Sequence, residues 1–400
     1  MRHLALGEFF TNIGNAILLL AFAKFLYDET GQLWAFSFAF IIEMVLALFV
    51  PMMAGRVIDT KGVKDILRFA SAANLLICLS YALMVTDSQI SVVVLLLASM
   101  VLSIVKLVLK LSVFSLTPEL SDDKNLEKNN GWLASALQGG QLLGMVLAAF
   151  LLTHGSQSLV FAVSSVFFLF AWVCYTLSTC GLQHKVQQAI DVNPRESIFG
   201  TINEQFKVSR KFAPLLLISN LDFSVVAMFN LLLAATVANL FDNDPKWLSI
   251  LDGAFAIAAL LGGMLVAKKL RCSSIFDSIR TQVFFLGCLF ILLFPNIKYS
   301  LLICTFAFGV SLSLSTVFWN TMLQRNFPAE FKGSLAGARN LISSIYIGVC
   351  SIVVSFLHEM GFSIAVVACI AITTINVLSF LIFNYKDSSK RNIEIQGDLS

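Results

Sequence analysis

Twelve membrane-spanning helices in two bundles of six, an all-α membrane protein with both termini cytoplasmic, are what this sequence predicts. Three observations carry that expectation: a chain too apolar for water, hydrophobic runs of spanning length, and basic residues gathered on alternate connections. Of the 400 residues, 58% are hydrophobic and 13% are charged, against a charged share of about 25% in soluble domains. Runs such as Ile90 to Val105 do not alternate in polarity, which excludes barrel strands of about 10 alternating residues. Little sequence is left over for a soluble catalytic domain.

A spanning helix needs about 20 apolar residues. Polar breaks separate twelve such stretches: 4–27, 34–55, 66–86, 90–116, 131–153, 158–181, 213–240, 247–270, 278–295, 299–323, 333–357 and 362–385. The first follows Met1-Arg2-His3, is longer than a signal-peptide core, and reads as a retained span. With the N-terminus inside, 22 of the 27 Lys and Arg fall on the cytoplasmic side, as the positive-inside rule requires. Lys246 and Lys298 lie in outer loops, and Lys24, Lys106 and Lys110 fall within spans. The net charge of +3 leaves no basic patch, so nucleic acid is excluded as a partner. Eight scattered cysteines form no CxxC pair and read as small hydrophobes, with neither a disulfide framework nor a metal site.

The longest connection, 182–212, divides the chain into bundles 1–181 and 213–385, followed by a tail, 386–400. Ile198, Ile202 and Phe206 recur at helical spacing among its charges and predict an amphipathic helix on the inner leaflet. A weak repeat supports the division. Thr117-Pro118-Glu119-Leu120 follows span four and Phe327-Pro328-Ala329-Glu330-Phe331 follows span ten, each preceding a glycine, Gly131 or Gly333, that opens the next helix. Parallel six-helix repeats belong to transporters that rock around a central site.

The loop after span two, Gly55-Arg56-Val57-Ile58-Asp59-Thr60-Lys61-Gly62-Val63-Lys64, resembles the signature G-x-x-x-D-(R/K)-x-G-(R)-(R/K) of the major facilitator family, with Gly55, Asp59, Gly62 and Lys64 matching and Thr60 and Val63 in place of two basic residues. The resemblance implies that Asp59 meets the N-terminal end of a helix of the other half and helps close a cytoplasmic gate. Pro118 and Glu119 belong to a second match. Thr117-Pro118-Glu119-Leu120 with Leu126 and Asn129-Asn130 resembles a loop of the drug-exporter subgroup that includes macrolide efflux proteins and the enterobactin exporter. Phe9-Phe10-Thr11-Asn12-Ile13-Gly14-Asn15-Ala16 is similar to that subgroup's opening run, with Asn15 where an Asp is usual. Span five has Gly140 and Gly144 without the Gly-Pro pair of the antiporter motif.

Polar residues inside the membrane are the candidate substrate and proton pathway, because a central Lys costs roughly 2.5–3.5 kcal/mol on insertion scales. Ser99, Ser103, Lys106 and Lys110 share a face of span four, and Ser313, Thr316, Asn320 and Gln324 share a face of span ten. Asn15, Gln138, Gln141 and Trp319 add amides and an aromatic wall. Lys106 is the candidate cavity cation, whereas Lys110 reads as snorkelling to the inner surface. Arg339, within two turns of the start of span eleven, fits a structural or gating role rather than substrate contact. Glu43 and Asp222 are the deepest carboxylates and the candidate proton carriers, with static pairing of Glu43 to Lys106 as the alternative for that pair. Glu8 reads as lying near the inner surface in contact with water.

The expectation is a secondary active transporter in a bacterial inner membrane, exporting a small amphipathic or partly anionic molecule by alternating access in exchange for protons. It is expected to act as a monomer without a cofactor. Export over import rests on the subgroup resemblance alone; an importer or proton symporter is the alternative, with a transporter-fold sensor further behind. No GxxxxGK[ST], HExxH or GxSxG motif is present, so neither nucleotide-driven transport nor a membrane-embedded enzyme is expected.

Overall fold

The computed structural model describes residues 1–31, 33–84, 92–180, 212–242, 244–327 and 331–397. The expected amphipathic helix of 182–212 lies outside them. Every regular element described is helical. This follows from the lipid environment, where backbone N–H and C=O groups find partners only within the helix itself. The first six helices are α1 Arg2–Thr30, α2 Leu33–Lys61, α3 Val63–Met84, α4 Val92–Leu116, α5 Leu126–His154 and α6 Gln157–Ser178. The seventh span is made of a short α7, Phe212–Ile218, and α8, Leu221–Leu240. Then come α9 Pro245–Ala267, α10 Ile275–Leu293, α11 Leu301–Asn326, α12 Lys332–Met360 and α13 Phe362–Gly397. Among the described residues, eleven spans are long and apolar enough to cross a membrane, and the 29-residue α2 supplies the twelfth long helix. The predicted fold class therefore holds.

Local chemistry sets the helix ends. Ser156 caps α6 by accepting from the Leu159 N–H at 3.2 Å, and Asp244 caps α9 by accepting from the Lys246 N–H at 3.0 Å. Ser274 and Asp277 form a capping box on α10, in which Asp277 also pairs with Arg271 at 2.5 Å and Arg280 at 3.0 Å. Between α2 and α3 the chain turns at Gly62, whose φ of 89° a side chain would strain.

The chain forms two compact units, Met1–Arg210 with Asn320–Ser344, and Lys211–Trp319 with Ile345–Ser400. The last turns of α11 and the first turns of α12 thus pack with the first six helices. Inside the first unit α1 is central, touching α5, α6, α2 and α4, and 67% of its apolar window is buried against 22% for α5. Small residues allow that packing. A Cβ on Gly144 would lie 2.6 Å from the Ile13 carbonyl oxygen, and one on Gly140 would strike that of Phe9. The second unit is built on α10, α13, α8 and α9, with Phe285, Phe308 and Phe380 fully buried. Exposed apolar side chains such as Phe69, Ile303 and Ile352 suit a lipid-facing exterior, where an apolar side chain needs no cover.

Because the Gly140 contact is backbone against backbone, no side chain can swing aside to admit a methyl group. Gly140→Ala is expected to destabilise the protein by about 1–3 kcal/mol, read as a lowered midpoint of thermal unfolding in detergent. An unchanged midpoint would mean that α1 and α5 separate at little cost.

Candidate functional site

In the first unit, Lys106 on α4 and Glu43 on α2 form an ion pair of 2.6 Å, each side chain about 30% exposed. The two charges that the sequence places deepest in this half thus neutralise each other across two helices. Ser103, one turn earlier on α4, is buried. Asn15 and Gln138 are half-buried, and no hydrogen bond engages their side chains among the described residues.

Lys110 takes a different course from the snorkelling expected of it. Its ammonium donates to Asn340 Oδ1 on α12 at 3.0 Å. Arg339, the preceding residue on α12, donates to Asn320 Oδ1 on α11 and lies 6.0 Å above the Phe114 ring, a cation–π distance. Asn320 is therefore occupied by Arg339.

At one end of the same unit Asp59 caps α12. It accepts from the Gly333 N–H at 2.6 Å, the Ser334 N–H at 2.7 Å and the Ser334 hydroxyl at 2.6 Å. A carboxylate over free N–H groups at the positive end of a helix is doubly favoured, by hydrogen bonds and by the helix dipole. The approach demands glycine on both sides: a Cβ on Gly55 would strike the Gly333 carbonyl, and one on Gly333 would strike that of Gly55. Lys64 is half-buried at the start of α3. Nearby, Arg68 on α3 donates to the Thr179 hydroxyl at 2.7 Å and the Thr176 carbonyl at 3.2 Å.

A second set of contacts ties α11 to the start of α5. The Asn130 amide donates to Gln324 Oε1 at 2.7 Å and Thr321 Oγ1 at 3.0 Å, and Gln324 donates to the Phe114 carbonyl at 2.8 Å. Arg325 donates to the Asp123 carbonyl at 2.7 Å. Pro118 and Glu119 form the turn that ends α4, with the Glu119 N–H donating to the Leu116 carbonyl at 3.0 Å. Ser121, bonded to Thr117, receives Asn129 at 2.8 Å and fixes that turn against α5.

Sequence reasoning missed Glu8. It is 8% exposed and accepts from Asn12 at 3.0 Å and from the Tyr175 hydroxyl of α6 at 3.2 Å, while Thr11 donates to Tyr175 at 3.1 Å. The signal available was the set Glu8, Thr11 and Asn12, which falls on one helical face.

In the second unit Asp222, 5% exposed, accepts from Gln282 at 2.8 Å and from the Ser315 hydroxyl. Asn376 on α13 reaches Gln282 Oε1 at 3.2 Å and Ser224 Oγ at 2.9 Å. Ser315 and Ser278 are 2.6 Å apart, and Trp319 Nε1 donates to Ser278 at 2.8 Å. At 1% exposure and against Phe380, Trp319 is part of this packed network.

The family model described as Major Facilitator Superfamily matches residues 4–349. The chain belongs to the major facilitator superfamily. Its structure resembles a bacterial homologue of the iron transporter ferroportin in an outward-facing state, with 18% identity, a TM-score of 0.78, and 96% of this chain and 99% of that one covered. It also resembles the human organic anion transporter MFSD10, with 11% identity, a TM-score of 0.76 and coverage of 95% and 98%. The proton:xylose symporter XylE follows at 14% identity, TM-score 0.69 and coverage of 95% and 94%. At such identities these likenesses show the fold alone. No curated protein matches the sequence. As a member of the superfamily the chain is a multi-pass membrane transporter for a small molecule.

For a facilitator, the Asp59 cap must break whenever α12 leaves α2. Asp59→Ala removes three hydrogen bonds, worth about 0.5–2 kcal/mol by the measure of other helix caps. Thiol labelling of a Ser344→Cys reporter, in a background with the eight native cysteines replaced, is expected to be faster in Asp59→Ala than in the parent. Equal rates would show that the cap holds nothing shut.

Proposed function

We propose that this facilitator is a secondary active exporter of a small amphipathic or partly anionic molecule in a bacterial inner membrane, exchanging substrate for protons. The observation that carries the reading is the pairing of two buried polar centres with separable contacts at the inner helix ends. Each unit carries carboxylates within its spans, Glu43 and Glu8 in one and Asp222 in the other, held by side chains from neighbouring helices. Proton exchange needs groups of this kind, able to gain or lose a proton as their surroundings alternate between water and protein. Asp59, Gly55, Gly62, Lys64, Pro118, Glu119 and Arg339 lie in or beside the contacts that join the inner ends of α11 and α12 to the first unit. Breaking them is the opening step on the cytoplasmic side.

Export is supported by the likeness of Thr117–Leu120 with Asn129 and Asn130, and of Phe9–Ala16, to the drug-exporter subgroup that includes macrolide efflux proteins and the enterobactin exporter. Substrates in this reading are drugs, siderophores, peptide antibiotics or other secreted metabolites. The Asn130 clasp on α11 gives a physical role to one residue of that likeness.

Inside-out proteoliposomes with an acidic lumen test the reading. The wild type is expected to accumulate substrate only while the pH gradient stands, and to release protons as it does so. Asp222→Asn is expected to abolish gradient-driven accumulation while leaving substrate exchange without a gradient intact. Accumulation that follows an imposed gradient in the symport direction would overturn export, and a gradient-independent rate in every variant would overturn proton coupling.

A further inference from the structure

We infer that Lys110 is the anion-recognising residue of this transporter, reading a carboxylate or sulfonate group on an otherwise apolar substrate. The inference rests on the transport reading above and narrows its substrate class to organic anions. Two lysines lie on one face of α4, and the structure gives them opposite fates. Lys106 is neutralised by Glu43 at 2.6 Å. Lys110 has only a neutral partner, Asn340 Oδ1 at 3.0 Å, and no carboxylate in contact among the described residues. An ammonium has three donors, and among the described residues this one spends a single donor, on Asn340.

Its position leaves its remaining donors open to a ligand. Lys110 lies six residues before the inner end of α4, about 9 Å along the helix. Its side chain points across to α12, where Asn340 and Ser343 are buried, yet it retains accessible surface. Neither Glu43 nor Glu8 bonds to it: Glu43 is held by Lys106, and Glu8 by Asn12 and Tyr175. A substrate anion would supply the charged acceptor that this ammonium lacks among the described residues. Asn340 fixes the ammonium from one side, which orients its remaining donors. Phe114, beside Arg339, supplies an apolar surface within the same unit. A cation in this setting discriminates by charge, because a neutral analogue would leave the ammonium as poorly satisfied as before.

Thermal unfolding of the purified full-length protein, with 2-naphthoate, 2-naphthalenesulfonate and neutral methyl 2-naphthoate as probes, tests the assignment. Both anions are expected to raise the wild-type midpoint saturably and the ester to do so far less. K110Q is expected to raise the half-saturating anion concentration by about tenfold or more, as loss of a charge-assisted hydrogen bond implies. K110R, which keeps the charge, is expected to retain most of the affinity, and K24Q, at the far end of α1, all of it. The assignment is overturned if the ester stabilises the wild type as well as the anions do, if neither anion stabilises it, or if K110Q binds them normally. Should K110Q fold poorly, flux of naphthoate and ester in K110R proteoliposomes decides: preserved preference for the anion supports the assignment, and equal loss of both fluxes assigns Lys110 to gating instead. A protein that exports the ester against protons but shows no anion preference keeps the transport reading and loses this one. Lys110-dependent binding without flux under any gradient does the reverse.

Discussion

Inside a bilayer a polar side chain that lacks a partner has no water to fall back on, and this constraint decides most of the contacts described above. It explains why the polar residues of the spans are gathered into few places. Glu8, Thr11, Asn12 and Tyr175 satisfy one another between α1 and α6. Asp222, Ser278, Gln282, Ser315, Trp319 and Asn376 do so among α8, α10, α11 and α13. Packing between such clusters is left to leucine, isoleucine, valine, phenylalanine and small residues, which carry no hydrogen-bonding demand in their side chains. Tight backbone approach at Gly140 and Gly144 lets α1 lie at the centre of its bundle, and that central place is what brings Glu8 within reach of Tyr175.

The same constraint governs the helix ends of the first unit. The first N–H groups of a helix have no partner within it, so the N-terminus of α12 must be satisfied from elsewhere, and Asp59 does this with two backbone bonds and one to Ser334. Asn130 and Gln324, both buried, form an amide clasp between α5 and α11 in the same unit.

The spans were legible in the sequence because hydropathy and length respond directly to bilayer thickness, and no tertiary contact is needed to read them. Asp59 was legible because its family pattern fixes both its neighbours and its helix end. Pairing across helices was harder. Lys106 and Glu43 were set out as a pair only as one of two alternatives, since 63 residues separate them and periodicity gives a face without saying what it faces. Lys110 was read from its depth alone, and depth cannot distinguish a lysine that reaches outward to lipid headgroups from one that reaches sideways to Asn340. Glu8 was discounted for a similar reason. Proximity to the helix start suggested water, but α1 is enclosed by four other helices along its length, so position along the chain was a poor guide to exposure.

The two units also solve the problem of a buried carboxylate in one way. In the first, Glu8 on the opening helix is held by Tyr175 on the sixth. In the second, Asp222 on the seventh span is held by Gln282, which Asn376 on the twelfth positions in turn. In the first unit the donor comes from the sixth helix itself, whereas in the second Gln282 on α10 and Ser315 on α11 bond Asp222, and Asn376 on α13 bonds Gln282 and Ser224 instead. What the two units share is an acid near the start of their first span, bonded by neutral side chains of other helices. Partner type separates the two kinds of acid in the spans: Glu43 meets the cation Lys106 and ties α2 to α4, while Glu8 and Asp222 are held by neutral hydroxyl, phenol and amide donors.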